Sequence, residues 1–132
     1  MSQENLEIAR RAYESFITGD LSWLAEFVDP EIEFDLTRNV FNPQVFRGYE
    51  GIQQLWTEQN EVWEDFRFEV EELIDAGDEV VAVLRLVGKG RGSGVPVDQR
   101  DIHVVKVRDG RAVRVTMYRD RAEALEAAGL SD

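Results

Sequence analysis

The hydrophobic periodicity changes once along the chain, and this change limits the fold more than any other sequence feature. Apolar residues recur at helical spacing through most of the first half, whereas strand-like segments follow one another from Phe66 onward. Helices and strands are therefore segregated along the chain. Such segregation is typical of an α+β fold rather than of repeated βαβ units.

Most of the helical signal lies in the first half of the chain. Residues 4–18 form one amphipathic helix, Leu21–Phe27 a short second helix, and Gly48–Gly51 opens a third. A final short helix over Arg121–Ala128 ends at Gly129.

One predicted strand, Ile32–Leu36, lies between these helices, and it is followed by a predicted loop over Thr37–Arg47. The apolar residues of this loop have no period and are expected to cover part of the protein. They are Val40, Phe41, Val45 and Phe46. Four further strands form a predicted meander and cover Phe66–Ile74, Glu79–Gly88, Val95–Val107 and Arg111–Tyr118.

Composition excludes several classes of protein. The length of 132 residues suits a single domain over 1–132, and the net charge of −12 opposes binding to nucleic acid. No signal peptide or membrane span is evident, so a cytoplasmic protein is expected. With no cysteine, one histidine and no clustered acidic residues at ligand spacing, neither a metal site nor a cofactor is predicted.

The last hairpin decides which residues face inward. A two-residue Asp109-Gly110 turn would pair Arg108 with Arg111, whereas a three-residue loop would pair Val107 with Arg111. The three-residue loop separates apolar from charged side chains more cleanly, so it is the predicted register. The residues then expected to share one inward face are Asp101, His103, Val105, Val107, Val113, Val115 and Met117.

Several segments resemble the SnoaL-like branch of the NTF2-like superfamily. They are Thr18-Gly19-Asp20-Leu21, Glu26-Phe27-Val28-Asp29-Pro30, Arg47-Gly48 with Ile52, and Arg108-Asp109-Gly110-Arg111. The resemblance covers nearly the whole chain. It implies a cone-shaped, curved mixed sheet wrapped by three helices from the N-terminal half and a short C-terminal helix.

The resemblance also implies catalytic positions. Asp35 falls where ketosteroid isomerases of this superfamily carry a proton-shuttling carboxylate, and His103 falls where they carry an oxyanion-hole acid. The matching position for their helical tyrosine is Ala12, one residue before Tyr13. We therefore expect Asp35 and His103 to be an acid–base pair facing one apolar cavity.

The expected ligand-binding residues line a pocket between the sheet and the helices. They are Tyr13, Trp56, Asp101, Val105, Val115, Met117 and Arg119. An Asp101–Arg119 pair at the pocket mouth would bind a carboxylate or orient water, or form a rim salt bridge. The orientation of Arg85 is left open.

Two function classes remain after this reasoning. One is a cofactor-independent enzyme that performs isomerisation, cyclisation, dehydration or hydrolysis on a small apolar molecule. The other is a non-catalytic ligand-binding or dimerisation module. An apolar outer patch made of Ile102, Val104 and Tyr118 further predicts a homodimer.

Overall fold

A computed structural model describes residues 2–38 and 43–130 of the chain. It has four α-helices and six strands over these ranges, so the α+β class is confirmed. The helices are α1 (Ser2–Thr18), α2 (Leu24–Phe27, preceded by a 3₁₀ turn over Leu21–Trp23), α3 (Gly48–Val62) and α4 (Arg121–Ala127). None of these helices has the length and apolar character needed to cross a bilayer.

The strands form one mixed sheet. They are β1 (Val28–Asp35), β2 (Val45–Arg47), β3 (Trp63–Asp75), β4 (Glu79–Gly90), β5 (Pro96–Arg108) and β6 (Arg111–Tyr118). Their order across the sheet is β2-β1-β6-β5-β4-β3. The β1–β6 pair is parallel and every other neighbouring pair is antiparallel. The four-strand meander predicted from the sequence is thus β3 to β6.

The sheet is curved and does not close. Its β3–β4 ladder is interrupted between Glu64 and Arg67 and again between Val70 and Glu72. Asp65, inside the first interruption, has a φ of 53°. Such bulges bend a strand and increase its twist. The two bulges therefore help to bend the sheet around the helices α1 and α3, which contact its concave face.

One predicted loop contains a strand. Val45–Arg47 pairs with β1 as β2, and Phe46 is buried beneath α3, where the backbone of Gly51 approaches it closely. This pairing needs partners distant in sequence, which an irregular apolar pattern does not reveal. Val40 and Phe41, also predicted in that loop, lie outside the described residues.

The outer apolar patch predicted from the sequence is covered within the chain itself. Ile102 and Val104 are only 8% and 5% exposed because Leu125 and Ala124 of α4 pack over them. The expectation that this patch lies free as a dimer interface was therefore wrong. A free apolar face on one element is readily covered by another element of the same chain, and the sequence pattern alone does not indicate which.

Candidate functional site

An apolar cavity of about 80 Å³ lies between the concave face of the sheet and the helices α1 and α3. Its walls come from α1, the 3₁₀ turn, β1, α3 and the strands β3, β5 and β6. The polar side chains on its surface are few. They are Tyr13, Gln59, Asp101 and His103, together with the indole of Trp23.

Strand alternation places the β5 residues of this site. Asp101, His103 and Val105 all line the cavity, whereas Ile102 and Val104 between them face α4. On β6, Met117 is opposite His103 and Val115 is opposite Val105. Both β6 residues also line the cavity, so the predicted inward face of the hairpin is found at these five positions.

The turn that produces this arrangement differs from the predicted one. Arg108 is opposite Arg111, and Asp109 and Gly110 both have positive φ, at 54° and 77°. This is the two-residue hairpin turn, which needs two left-handed residues. The register then shifts at Val113, because Val107 is opposite Ala112 while Lys106 is opposite Arg114.

The register shift at Val113 explains why the side chains of the hairpin lie on the predicted faces although the predicted turn was wrong. A bulge adds one residue to one strand, which moves every later side chain across the sheet. Beyond the bulge, the apolar residues of β5 and β6 share a face, as the sequence pattern requires. Val113 itself is the extra residue and does not line the cavity.

Tyr13 and His103 meet inside the cavity although they are 90 residues apart in sequence. The Tyr13 hydroxyl and His103 Nδ1 are 2.7 Å apart and share a hydrogen bond. Helical spacing puts Ala9, Tyr13 and Phe16 on the inward side of α1, which brings the hydroxyl to the sheet. The edge-on ring of Phe34, 5.4 Å away between centroids, also fixes the imidazole.

Burial keeps this pair uncharged near neutral pH. It lowers the pKa of His103 to about 4, because the imidazolium would lose its hydration. Burial also raises the pKa of Tyr13, and the charge of Asp101 raises it further. The hydrogen bond therefore joins a neutral imidazole and a neutral phenol. Either the phenol donates to Nδ1, or the Nδ1–H group donates to the phenol oxygen.

Each arrangement leaves one donor for a ligand. If Tyr13 donates to Nδ1, the imidazole proton is on Nε2, which has no hydrogen-bond partner among the residues described. If Nδ1 donates to the tyrosine oxygen, the phenolic proton is left for a ligand. In both cases the pair presents a neutral donor to an acceptor atom in the cavity.

Asp101 supplies the acidic group of the cavity wall. Burial raises the pKa of this carboxyl, and a 3.2 Å hydrogen bond from Gln99 opposes the shift. No lysine or arginine is present among the described residues that line the cavity. A partly desolvated carboxylate with no cationic neighbour is a stronger base than an exposed one.

Gln59 and Trp23 add polar atoms that the sequence analysis did not assign to a ligand. The Gln59 side chain makes no hydrogen bond within residues 2–38 and 43–130, and it lines the cavity from α3. Trp23 also lines the cavity, and its Nε1 atom is buried without a partner in the same part of the chain. The helical spacing of Gln59 with Ile52 and Leu55 was the signal that could have placed it in the site.

Asp35 does not line the cavity, contrary to expectation. Its carboxylate accepts hydrogen bonds from the backbone N–H and the hydroxyl of Thr37, at 2.9 Å and 2.6 Å. Ile32 and Phe34 line the cavity instead, so Asp35 lies on the opposite face of β1. The structure does not bring Asp35 and His103 together as a pair.

The pKa of Asp35 supports the same conclusion. Partial burial raises it, but the hydrogen bonds from Thr37 and the charges of Arg38 and Arg114 together lower it below the ordinary value. A carboxylate of lowered pKa is a weaker base. In this environment Asp35 is therefore less suited to proton abstraction than Asp101.

Three other residues lie away from the cavity. Trp56 packs against the end of α1, where a Cβ on Gly19 would be 2.5 Å from its Cζ2 atom. Arg119 is exposed beyond the end of β6, so strand alternation no longer directs it inward, and no Asp101–Arg119 pair forms. Arg85 lies on the convex face and is 2.7 Å from Asp98.

The described residues contain no cluster of three or more histidine, cysteine, aspartate or glutamate side chains that could hold a metal ion. The polar groups that line the cavity are a carboxylate, a neutral imidazole, a phenol, an amide and an indole. These groups can accept a proton, donate hydrogen bonds and orient a small apolar molecule.

Known structures of the same fold are numerous. A protein described as NTF2-like from Burkholderia thailandensis E264 is 26% identical over 87% of this chain and 89% of that chain, with a TM-score of 0.77. A protein from Jannaschia sp. CCS1, provisionally named a SnoaL-like polyketide cyclase, is 22% identical over 89% and 85% of the two chains, with a TM-score of 0.76.

A third structure has a bound small molecule. A protein from Catenulispora acidiphila DSM 44928 with a ketosteroid isomerase-like fold, in complex with trimethylamine, is 16% identical over 94% and 93% of the chains, with a TM-score of 0.72. No protein with a curated description matches the sequence.

The sequence model of the SnoaL-like domain matches residues 9–115, which include most of the helices and strands described above. That match extends from α1 into β6 and contains Tyr13, Asp101 and His103. The chain therefore belongs to the SnoaL-like family of the NTF2-like fold.

Proposed function

We propose that this protein is a cofactor-independent enzyme that moves a proton next to a carbonyl group of a small apolar substrate. The observation that carries the proposal is the Tyr13–His103 hydrogen bond beside the Asp101 carboxylate in an apolar cavity. Buried polar groups are costly unless they are satisfied or used. Here a base and a neutral hydrogen-bond donor line the same small space.

Asp101 is the proposed general base. It removes a proton from the carbon next to the carbonyl, and burial raises its pKa toward that of a useful base. The negative charge moves to the carbonyl oxygen, where the Tyr13–His103 pair donates a hydrogen bond. Preorganised donors of this kind stabilise the developing charge more than water does.

The fate of the resulting enolate depends on the substrate. Return of the proton to another carbon gives an isomerisation, and attack of the enolate on a second carbonyl gives an aldol cyclisation. The provisional name of the Jannaschia relative agrees with the second outcome. In a dehydration the enolate would expel a β-hydroxyl group, which would take the proton back from Asp101 and leave as water. In a hydrolysis Asp101 would instead take a proton from an attacking water molecule.

An assay of hydrogen–deuterium exchange tests the proposal without knowledge of the natural substrate. Small ketones such as acetone are incubated with the protein in D₂O, and exchange at the carbon next to the carbonyl is followed by NMR. We expect exchange above the buffer rate, and a roughly 100-fold loss in Asp101→Asn, which keeps the shape and removes the base.

Asp109→Asn is the matched control, since this residue is exposed in a turn that asparagine also suits. Equal exchange by wild type and Asp101→Asn would contradict the proposed base. Binding of ketones with no exchange above buffer would contradict catalysis and favour the alternative, a non-catalytic ligand-binding protein.

The homodimer stays a prediction, and it now requires a surface other than the patch beneath α4. Sedimentation at micromolar concentration tests it directly. A mass twice the 15.1 kDa of one chain would support the dimer, and a mass of one chain alone would contradict it.

A further inference from the structure

The sheet separates charged side chains by face. Asp101 lies on the concave face in the cavity wall. The cationic residues of the neighbouring strand positions lie on the convex face, because strand alternation directs their side chains away from the cavity. They form two cross-strand pairs, Arg85 opposite Arg100 and Lys106 opposite Arg114. The cavity therefore has a negative group in its wall and no positive one among the described residues.

The two arginines nearest to Asp101 in the sheet are also held in place by other partners. Arg85 binds Asp98 with N–O distances of 2.9 Å and 2.7 Å. Arg100 binds Glu71 at 2.7 Å, again on the convex face. Neither guanidinium can reach the cavity without crossing the sheet, so neither can neutralise an anion bound there.

The other two ionisable groups of the cavity do not supply positive charge. His103 and Tyr13 form a buried, uncharged pair at neutral pH. A carboxylate or phosphate in the cavity would thus lie close to the Asp101 carboxylate in a medium of low dielectric constant, where repulsion between like charges is strong. It would also lose its hydration without gaining a cationic partner.

The proposed reaction does not change the total charge in the cavity. When Asp101 takes a proton from a neutral substrate, the carboxylate becomes neutral and the substrate becomes an enolate, so the cavity holds one negative charge before and after the step. An anionic substrate would instead make two negative charges share the cavity. The cavity thus suits a reaction in which the negative charge moves from Asp101 to the substrate. It does not suit a ligand that brings a second negative charge.

We propose that the substrate is an uncharged carbonyl compound and that Asp101 excludes carboxylates and phosphates of the same shape. This inference rests on the proposed function for the carbonyl group, while the exclusion of anions rests on the cavity alone. The volume of about 80 Å³ adds a limit of size. An enclosed cavity of about 150 Å³ holds benzene, so smaller probes are appropriate here.

A pair of ligands with equal numbers of heavy atoms tests the exclusion. Acetamide is neutral and acetate is an anion, and each carries a carbonyl group on one methyl group. The protein has a single histidine, so labelled histidine gives the NMR signals of one imidazole, and these report binding in the cavity. Titrations at pH 7 then give the two dissociation constants.

We expect acetamide to bind at least 10-fold more tightly than acetate. In Asp101→Asn the ratio should fall to within about 3-fold, because the repulsion is removed while the shape is kept. Asp109→Asn should keep the wild-type ratio. Equal or tighter binding of acetate by the wild type, an unchanged ratio in Asp101→Asn, or no shift with either probe would overturn the inference.

The exchange assay and this titration distinguish a failure of the proposed catalysis from a failure of the proposed exclusion of anions. Selective binding of the amide with no ketone exchange would contradict the proposed catalysis and leave the exclusion of anions standing. Ketone exchange that depends on Asp101, together with equal binding of the two probes, would contradict the exclusion and leave the catalysis standing.

Discussion

Two aspartates on different strands show how strongly a single residue's environment decides its chemistry. Asp35 accepts two hydrogen bonds from Thr37 on the far side of β1, and these bonds help to lower its pKa. Asp101 lines the cavity, and burial raises its pKa. The same side chain is thus a weak base at one site and a stronger base at the other.

The contrast predicts different effects of the same substitution. Asp35→Asn should leave ketone exchange within about 2-fold of wild type, because the carboxylate faces away from the cavity and asparagine can still accept from Thr37. Asp101→Asn should lose roughly 100-fold. Parallel NMR exchange assays on the two variants make the comparison, and an equal loss in Asp35→Asn would return the catalytic role to Asp35.

At the scale of elements, α4 is short but well defined at both ends. Asp120 caps its first turn by accepting from the backbone N–H of Glu123 at 2.8 Å. Gly129, with φ of 80°, ends it, and the N–H of Leu130 donates to the carbonyl of Leu125. These caps allow a helix of seven residues to cover the convex face of the sheet over Ile102 and Val104.

The packing of α4 over the sheet predicts that the helix stabilises the protein mainly through the side chain of Leu125. Leu125 is 5% exposed and packs in the cluster over β5. Leu125→Ala should lower the free energy of unfolding by about 2–4 kcal/mol, measured by urea denaturation. Glu126→Ala, on the exposed side of α4, is the control, and a loss below about 0.5 kcal/mol in Leu125→Ala would show that α4 does not hold the sheet.

At the scale of the whole molecule, the buried histidine links folding to pH. His103 has a pKa of about 4 in the folded protein, whereas a solvated histidine in the unfolded chain has a pKa of about 6.5. Between these values the unfolded chain binds a proton at this side chain and the folded chain does not. Its contribution is fully present above pH 6.5 and is lost as the pH falls toward 4. The free energy of unfolding therefore decreases as the solution becomes more acidic.

We expect the free energy of unfolding to fall by roughly 2 kcal/mol between pH 7 and pH 5 through this group. Urea denaturation at both pH values measures the fall, and His103→Gln should remove most of it. The carboxyls of lowered pKa, Asp20, Asp35, Glu72 and Asp98, act at lower pH and are present in both proteins. The same fall in wild type and His103→Gln would contradict the link.

The sequence by itself determined the order of the helices and of the longer strands, the family, and which residues of β5 and β6 share a face. Alternation along β5 and β6 placed Asp101, His103, Val105, Val115 and Met117 together. Such patterns are local, because successive side chains of a strand point to opposite faces whatever the strand packs against. The partition of faces was therefore predictable even though the turn and the bulge at Val113 were not.

Only the tertiary structure decided which face of β1 meets the cavity, what covers the convex face and which distant groups touch. Asp35 and Phe34 alternate equally well in either orientation, and packing against α1 and α3 chose Phe34. The Tyr13–His103 bond spans 90 residues of sequence. A periodicity states which residues point the same way, but contacts between distant elements are set by packing in three dimensions, and the chemistry of the cavity depends on those contacts.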